Sequence, residues 1–127
     1  MRDDYEQFAA LELSASVVER GDVTVQYMGN TNLLISDGRS AIMLDAWFSR
    51  PTAMQVLAGE IEPDMQAISH ALQRSELRQL DVIIPVHSHF DHAMDAPEVA
   101  KRTGAVLLGS ESTANIARGW GLDEAQI

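Results

Sequence analysis

The chain has 127 residues, 46% hydrophobic and 22% charged, with 19 acidic against 9 basic side chains and no cysteine. That is the size and composition of one globular domain able to bury a core without crosslinks. Disulfides and thiolate metal ligands are excluded, and a formal charge of −10 disfavours nucleic-acid backbones and anionic membrane surfaces as partners.

No apolar run approaches the length that crosses a bilayer. The start, Met1-Arg2-Asp3-Asp4-Tyr5-Glu6, has no apolar core or small-residue cleavage site of a signal peptide. With the lack of cysteine, the expected location is cytoplasmic. Most of the acidic excess reads as solubility, and part of it can attract divalent cations.

Residues 1–20 form an acidic arm in which Tyr5, Phe8 and Leu11 or Glu12 could line one side of a short helix. Residues 21–127 read as the folded unit. Gly21-Asp22 is a turn, and Val23 to Met28 alternates as a strand. Asn32 to Ser36 is a second strand, and Asp37-Gly38 is a strong hairpin signal before a returning strand, Ala41 to Asp45. The following loop carries Trp47 and Phe48, each suited to core packing or to a pocket wall. From Pro63 to about Arg74, Met65, Ile68 and Leu72 recur at helical spacing. His70 falls on the opposite face and is expected to be solvated.

From Asp81 the pattern becomes strand, loop, helix, strand, helix. Val82 to Val86 is a strand. Asp95 is expected to cap a helix, with Pro97 in its first turn, Glu98 completing a capping box and Gly104 ending it. Ala105 to Leu108 is the next strand, and a helix from Ser110 to about Arg118 is closed by Gly119. Val82 to Leu108 is thus a β-α-β unit with parallel strands and a right-handed crossover. Sites in such units lie at the carboxyl ends of strands.

At that position stands His87-Ser88-His89-Phe90-Asp91-His92, which holds three of the four histidines in the chain. Neutral imidazole is the commonest metal ligand in proteins, and carboxylate often accompanies it. In an extended segment His87, His89 and Asp91 share one face, with His92 turning away toward the helix. The natural division places His87 and His89 on one metal and Asp91 and His92 on a second beside it. A tightly folded loop could instead close all four ligands on a single inert ion. The ligand types suit zinc best and admit iron or manganese.

This motif resembles the signature of the metallo-beta-lactamase superfamily of metal-dependent hydrolases. Val25 to Asn30 followed by Leu33-Leu34-Ile35, and Ile42 to Ser49, resemble the first strands of its lactonase-like and phosphodiesterase-like branches. The resemblance covers about residues 22–127. It implies an α/β fold: the N-terminal half of an αββα sandwich, one mixed sheet with helices on one face. It implies a hydrolase of esters, lactones or phosphoesters, with a small-molecule substrate and up to two metal ions. In it Asp91 orients or deprotonates the attacking water, and Asp45 supports the ligands from behind. The family's later ligands include a further histidine, a bridging aspartate and a final histidine, but no histidine follows His92 here. Only the first half of a dinuclear site is therefore expected, and the alternative is a metal-binding or self-associating fragment without catalysis. A nuclease of the same superfamily fits poorly with the acidic balance. The strands read as apolar runs, so the sheet face away from the helices is expected to be exposed and to form a two-fold homodimer.

Overall fold

Side-chain alternation and turn chemistry build the first half of the sheet. The computed structural model describes residues 21–75, 77 and 79–127, so the N-terminal arm expected over 1–20 lies outside the described residues. Strands β1 (Thr24–Gly29), β2 (Asn32–Ser36) and β3 (Ala41–Leu44) form the expected antiparallel meander. Between β2 and β3, Asp37 Oδ1 accepts from the amides of Ser40 and Arg39 at 2.7 and 2.9 Å. Those amides hold the Asp37 carboxyl below its ordinary pKa. Gly38 supplies the positive φ, +80°, that the turn requires.

Two parallel strands complete the sheet, β4 (Val82–Ile84) beside β3 and β5 (Val106–Leu107) beside β4. The spatial order is β1-β2-β3-β4-β5, one mixed sheet. The helices are α1 (Ala53–Ala58), α2 (Met65–Arg74), α3 (Phe90–Ala93), α4 (Ala96–Thr103) and α5 (Glu111–Trp120), followed by a 3₁₀ turn at Glu124–Gln126.

Alternation divides the sheet into two unlike faces. Leu34, Met43, Ile83 and Leu107 point to one face and are buried against Ile68 of α2, Val99 and Ala100 of α4 and Ala117 of α5. On the other face lie Val25, Tyr27, Leu33, Ile35, Ile42, Leu44, Val82, Ile84 and Val106, none of them buried. Val25 and Tyr27 are 62% and 67% exposed. The molecule is one helical layer on one sheet, as expected, with an apolar face uncovered among the described residues.

Several local expectations are corrected. Asp95 makes no cap hydrogen bond to α4, and its backbone is already helical. Its carboxylate is drawn instead to the amides of Phe48 and Ser49, which offer stronger partners than one helix-end amide. Glu98 does not complete a capping box; it pairs with Arg102 at 2.7 Å and accepts from Trp120 Nε1 at 3.0 Å. Gly119 lies inside α5, which continues one residue further and ends at Gly121. Gly121 has φ +78°, and its N–H reaches the carbonyls of Ala117 and Arg118. Two short helices were not anticipated. Thr52 and Gln55 form a reciprocal capping box at the start of α1, although that helix buries no residue. Finally, Gly109 is required where β5 turns into α5, because a Cβ there would stand 2.8 Å from Thr113.

Candidate metal centre

Strand β4 stops at Ile84, two residues short of the expected Val86, and the chain bends through residues 86–89 before α3 begins at Phe90. The shared face expected of an extended His87–Asp91 segment therefore does not exist. A helical turn brings the ligands together instead. Asp91 and His92 sit in α3, whose turn is closed by the amides of His92 and Ala93 on the His89 carbonyl. This folds Asp91 and His92 back toward His87. One donor atom from each of His87, Asp91 and His92 lies within 4.8 Å of the other two. Donors this close need only a small inward movement of the side chains to reach a single ion at ordinary metal–ligand lengths of about 2.0–2.2 Å.

His89 is not in that group. Its ring meets the His87 ring edge-on, centroids 4.5 Å apart, while the His87 and His92 rings stand 3.9 Å apart. His87 and His89 are exposed, Asp91 is half-buried and His92 is buried. His70 is exposed on α2, remote in sequence from the loop. With Gln26, Met28, Phe48, Arg50 and Arg74 it lines a cavity of about 350 Å³ that contains none of the four candidate ligands.

Asp45 stands directly behind His92. It is fully buried at the end of β3, and its Oδ1 accepts from the Val86 amide at 2.8 Å. Its Oδ2 lies 2.8 Å from His92 Nδ1. That contact is short but falls off the ring N–H axis, and Oδ2 has no well-directed hydrogen bond of its own. Thr31 Oγ1 lies 3.3 Å from the same nitrogen. A buried carboxylate this close to a bare nitrogen lone pair would repel it, so Nδ1 carries the proton. His92 Nε2 is then free to bind, and it faces Asp91 Oδ2 at 3.7 Å. A buried carboxylate oxygen short of donors also gains most when the imidazole before it is polarised by a cation. The donor set fits a metal ion.

The backbone at Asp45 is strained. Asp45 and Ala46 both have positive φ, +65° and +52°, and Ala46 is fully buried. Left-handed conformation costs an ordinary residue about 1–2 kcal/mol, and alanine has no side-chain hydrogen bond to offset it. Beyond this step Phe48 is buried in the core. Trp47 is half-buried, meets Phe90 edge-on at 6.1 Å and carries the Arg50 guanidinium 4.4 Å from its ring centre. The two aromatics thus divide the expected roles, Phe48 as core and Trp47 as a wall beside α3.

Sequence reasoning missed the β1–β2 turn as part of this site. Asn30, with φ +55°, and Thr31 reach across 61 positions to Asp91 and His92. The signal was a non-glycine turn pair, Asn30-Thr31, at the end of the hairpin nearest the carboxyl end of β3. Asn32 beside it is fully buried with both amide atoms unpartnered.

Comparison with known proteins identifies the family of the chain. The profile of the Metallo-beta-lactamase superfamily matches residues 25–126. A metal-dependent hydrolase of Myxococcus xanthus is 33% identical over 108 residues, 84% of this chain and 32% of that protein. One from Anaeromyxobacter sp. strain K is 32% identical over 109 residues, 84% of this chain and 34% of that protein. The chain therefore spans about a third of the length of these relatives. Among solved structures, Igni18, a metallo hydrolase of the archaeon Ignicoccus hospitalis, aligns with a TM-score of 0.49 and 21% identity, covering 80% of this chain and 37% of that one. The match along residues 25–126 is decisive: this chain belongs to the metallo-beta-lactamase superfamily.

Proposed function

We propose that the chain carries the first half of the metal centre of a hydrolase acting on a small-molecule ester, lactone or phosphoester. The observation that carries this reading is the convergence of His87, Asp91 and His92 in front of the buried Asp45. Three ligands with open positions beyond them is the pattern of a catalytic site, whereas a closed four-ligand site is structural. His89 lies beside this group and is the candidate ligand that could be shared with a second ion. Zinc suits the imidazole and carboxylate donors best, with iron or manganese admissible.

A divalent ion bound there would supply Lewis acidity and lower the pKa of an attacking water. The chain's own residues would do the rest. Asp45 keeps the proton on His92 Nδ1, which fixes the ring and leaves Nε2 as the donor. Asp91, half-buried on the first turn of α3, would orient the water or take its proton. Trp47 and Phe90 form an apolar rim on which a substrate can lie.

Zinc competition against a chromophoric chelator is expected to show a saturable site on the 127-residue chain. Hydrolysis of aryl esters and bis-p-nitrophenyl phosphate is then measured on the loaded protein. Zinc retention without turnover would favour a second reading, a metal-binding half without catalysis, which the span of a third of its relatives also favours. No saturable zinc binding would overturn the metal reading itself.

The uncovered sheet face supports one further element of this reading, association of two copies through that face. An apolar sheet face left open in this way is the kind of surface that marks an association site. A two-fold pairing would place sheet against sheet about 10 Å apart. Light scattering at micromolar concentration is expected to give twice the monomer mass, and to revert to monomer for Ile42→Asp. A monodisperse wild-type monomer would contradict it.

A further inference from the structure

Asp95 is a buried carboxylate that the proposed chemistry does not use. It is fully buried, and it ties together three parts of the chain. Its Oδ2 accepts from the amides of Phe48 and Ser49 at 2.7 and 2.6 Å, and its Oδ1 accepts from Ser49 Oγ at 2.8 Å. Ser49 Oγ in turn accepts from the Asp64 amide at 2.7 Å, and Asp64 caps α2. The carboxylate therefore joins the end of the metal loop, three residues after His92, to the segment that leaves Asp45.

That segment needs a tether. Asp45 and Ala46 both hold left-handed backbone, and a chain free to relax would rotate out of it. Such a rotation would swing the Asp45 carboxylate away from the Val86 amide and from His92 Nδ1, the two groups it now meets. The hydrogen bonds from Phe48 and Ser49 fix the chain two residues past the strained step. Burial raises the pKa of Asp95, and the Ser49 and Phe48 donors work against that rise. So much desolvation at one carboxylate is tolerated only where its donors are fixed in place.

We propose that Asp95 is a positioning residue for the metal centre: by locking Phe48 and Ser49 it holds the strained Asp45–Ala46 step, and so keeps Asp45 aimed at Val86 and His92. This rests on the metal reading for its consequence but not for its geometry, which is testable in metal-free protein. Coupling of this kind is expected to be energetically local, because each link is a direct hydrogen bond or one peptide unit.

The test compares Asp95→Ala, Asp95→Asn and Ser49→Ala with Leu107→Ala, a core variant chosen to lose comparable stability. In metal-free protein, amide exchange at Val86 reports the Asp45 hydrogen bond. Asp95→Ala is expected to speed Val86 exchange about tenfold relative to the stability-matched variant, the scale of one hydrogen bond. Asp95→Asn, which retains one oxygen for the two amides, is expected to restore most of the protection. Ser49→Ala is expected to fall between them, and it keeps the test open should Asp95→Ala fail to fold. Zinc affinity by chelator competition should drop about 10–100-fold in Asp95→Ala and not in Leu107→Ala. Val86 exchange and zinc affinity that follow overall stability alone, equal in Asp95→Ala and Leu107→Ala, would overturn the proposal. Wild-type protein that binds no zinc while Val86 exchange still responds to Asp95 would remove the metal reading and leave the tether standing.

Discussion

His92→Ala is expected to abolish useful metal binding, lowering zinc affinity by more than about 100-fold, beyond the 10–100-fold typical of losing a partner behind a ligand. Two losses combine. The variant removes the only buried imidazole of the three-ligand group, and it leaves Asp45 facing an empty space on its Oδ2 side. A fully buried carboxylate with one remaining donor, the Val86 amide, is costly, so the metal-free protein should also lose about 1–3 kcal/mol. His70→Ala serves as the control, because His70 is exposed on α2 and outside the group. Chelator competition and chemical denaturation read the two effects separately. Unchanged zinc affinity in His92→Ala, or an equal loss in His70→Ala, would contradict the assignment.

Met43→Ala is expected to cost about 2–5 kcal/mol, the range for deleting a large side chain from a packed core. Met43 is fully buried on β3, the central strand, and belongs to the cluster that α2, α4 and α5 cover. Ile42 next to it points to the uncovered face and is 39% exposed. Ile42→Ala should therefore cost clearly less when measured on the monomer, at concentrations below the proposed pairing, and the pair then measures the two-faced character of the sheet directly. Urea midpoints at an unchanged slope provide the measurement. Equal costs at both positions would mean that the two faces are covered alike.

The sheet was legible because its signals are local. Asp37-Gly38 fixes a hairpin wherever it stands between apolar strands, and the apolar runs at 82–84 and 106–107, on either side of a helix, read as a parallel pair. The motif of His87, His89, Asp91 and His92 reads as metal chemistry from residue type alone. Its geometry was not. Parity along an extended chain grouped His87 with His89, whereas the turn of α3 groups His87 with Asp91 and His92. Nothing in Phe90-Asp91-His92-Ala93 declares a four-residue helix, since it has no side-chain cap.

Asp95 misled for a physical reason. An aspartate two residues before a proline is a good helix cap by local rules, and only the fold brings Phe48 and Ser49 to it from 47 and 46 positions away. Thr31 and Asn30 could be read as a turn but not as part of the site, because their reach to His92 and Asp91 depends on the register of the meander. Gly119 and Gly121 differ by half a turn of helix. Burial of Leu122 decides between them, because it follows the cap into the core. Long-range partners, rather than propensities, account for each of these differences.

The central claim is that His87, Asp91 and His92 form one metal site backed by Asp45. Anomalous diffraction at the zinc edge, on crystals of the zinc-loaded chain, tests it most directly. The expected result is a peak within about 2.0–2.2 Å of a donor atom from each of those three residues, with His92 binding through Nε2. A peak held by His89 without His92, or His92 bound through Nδ1 with Asp45 turned away, would contradict it.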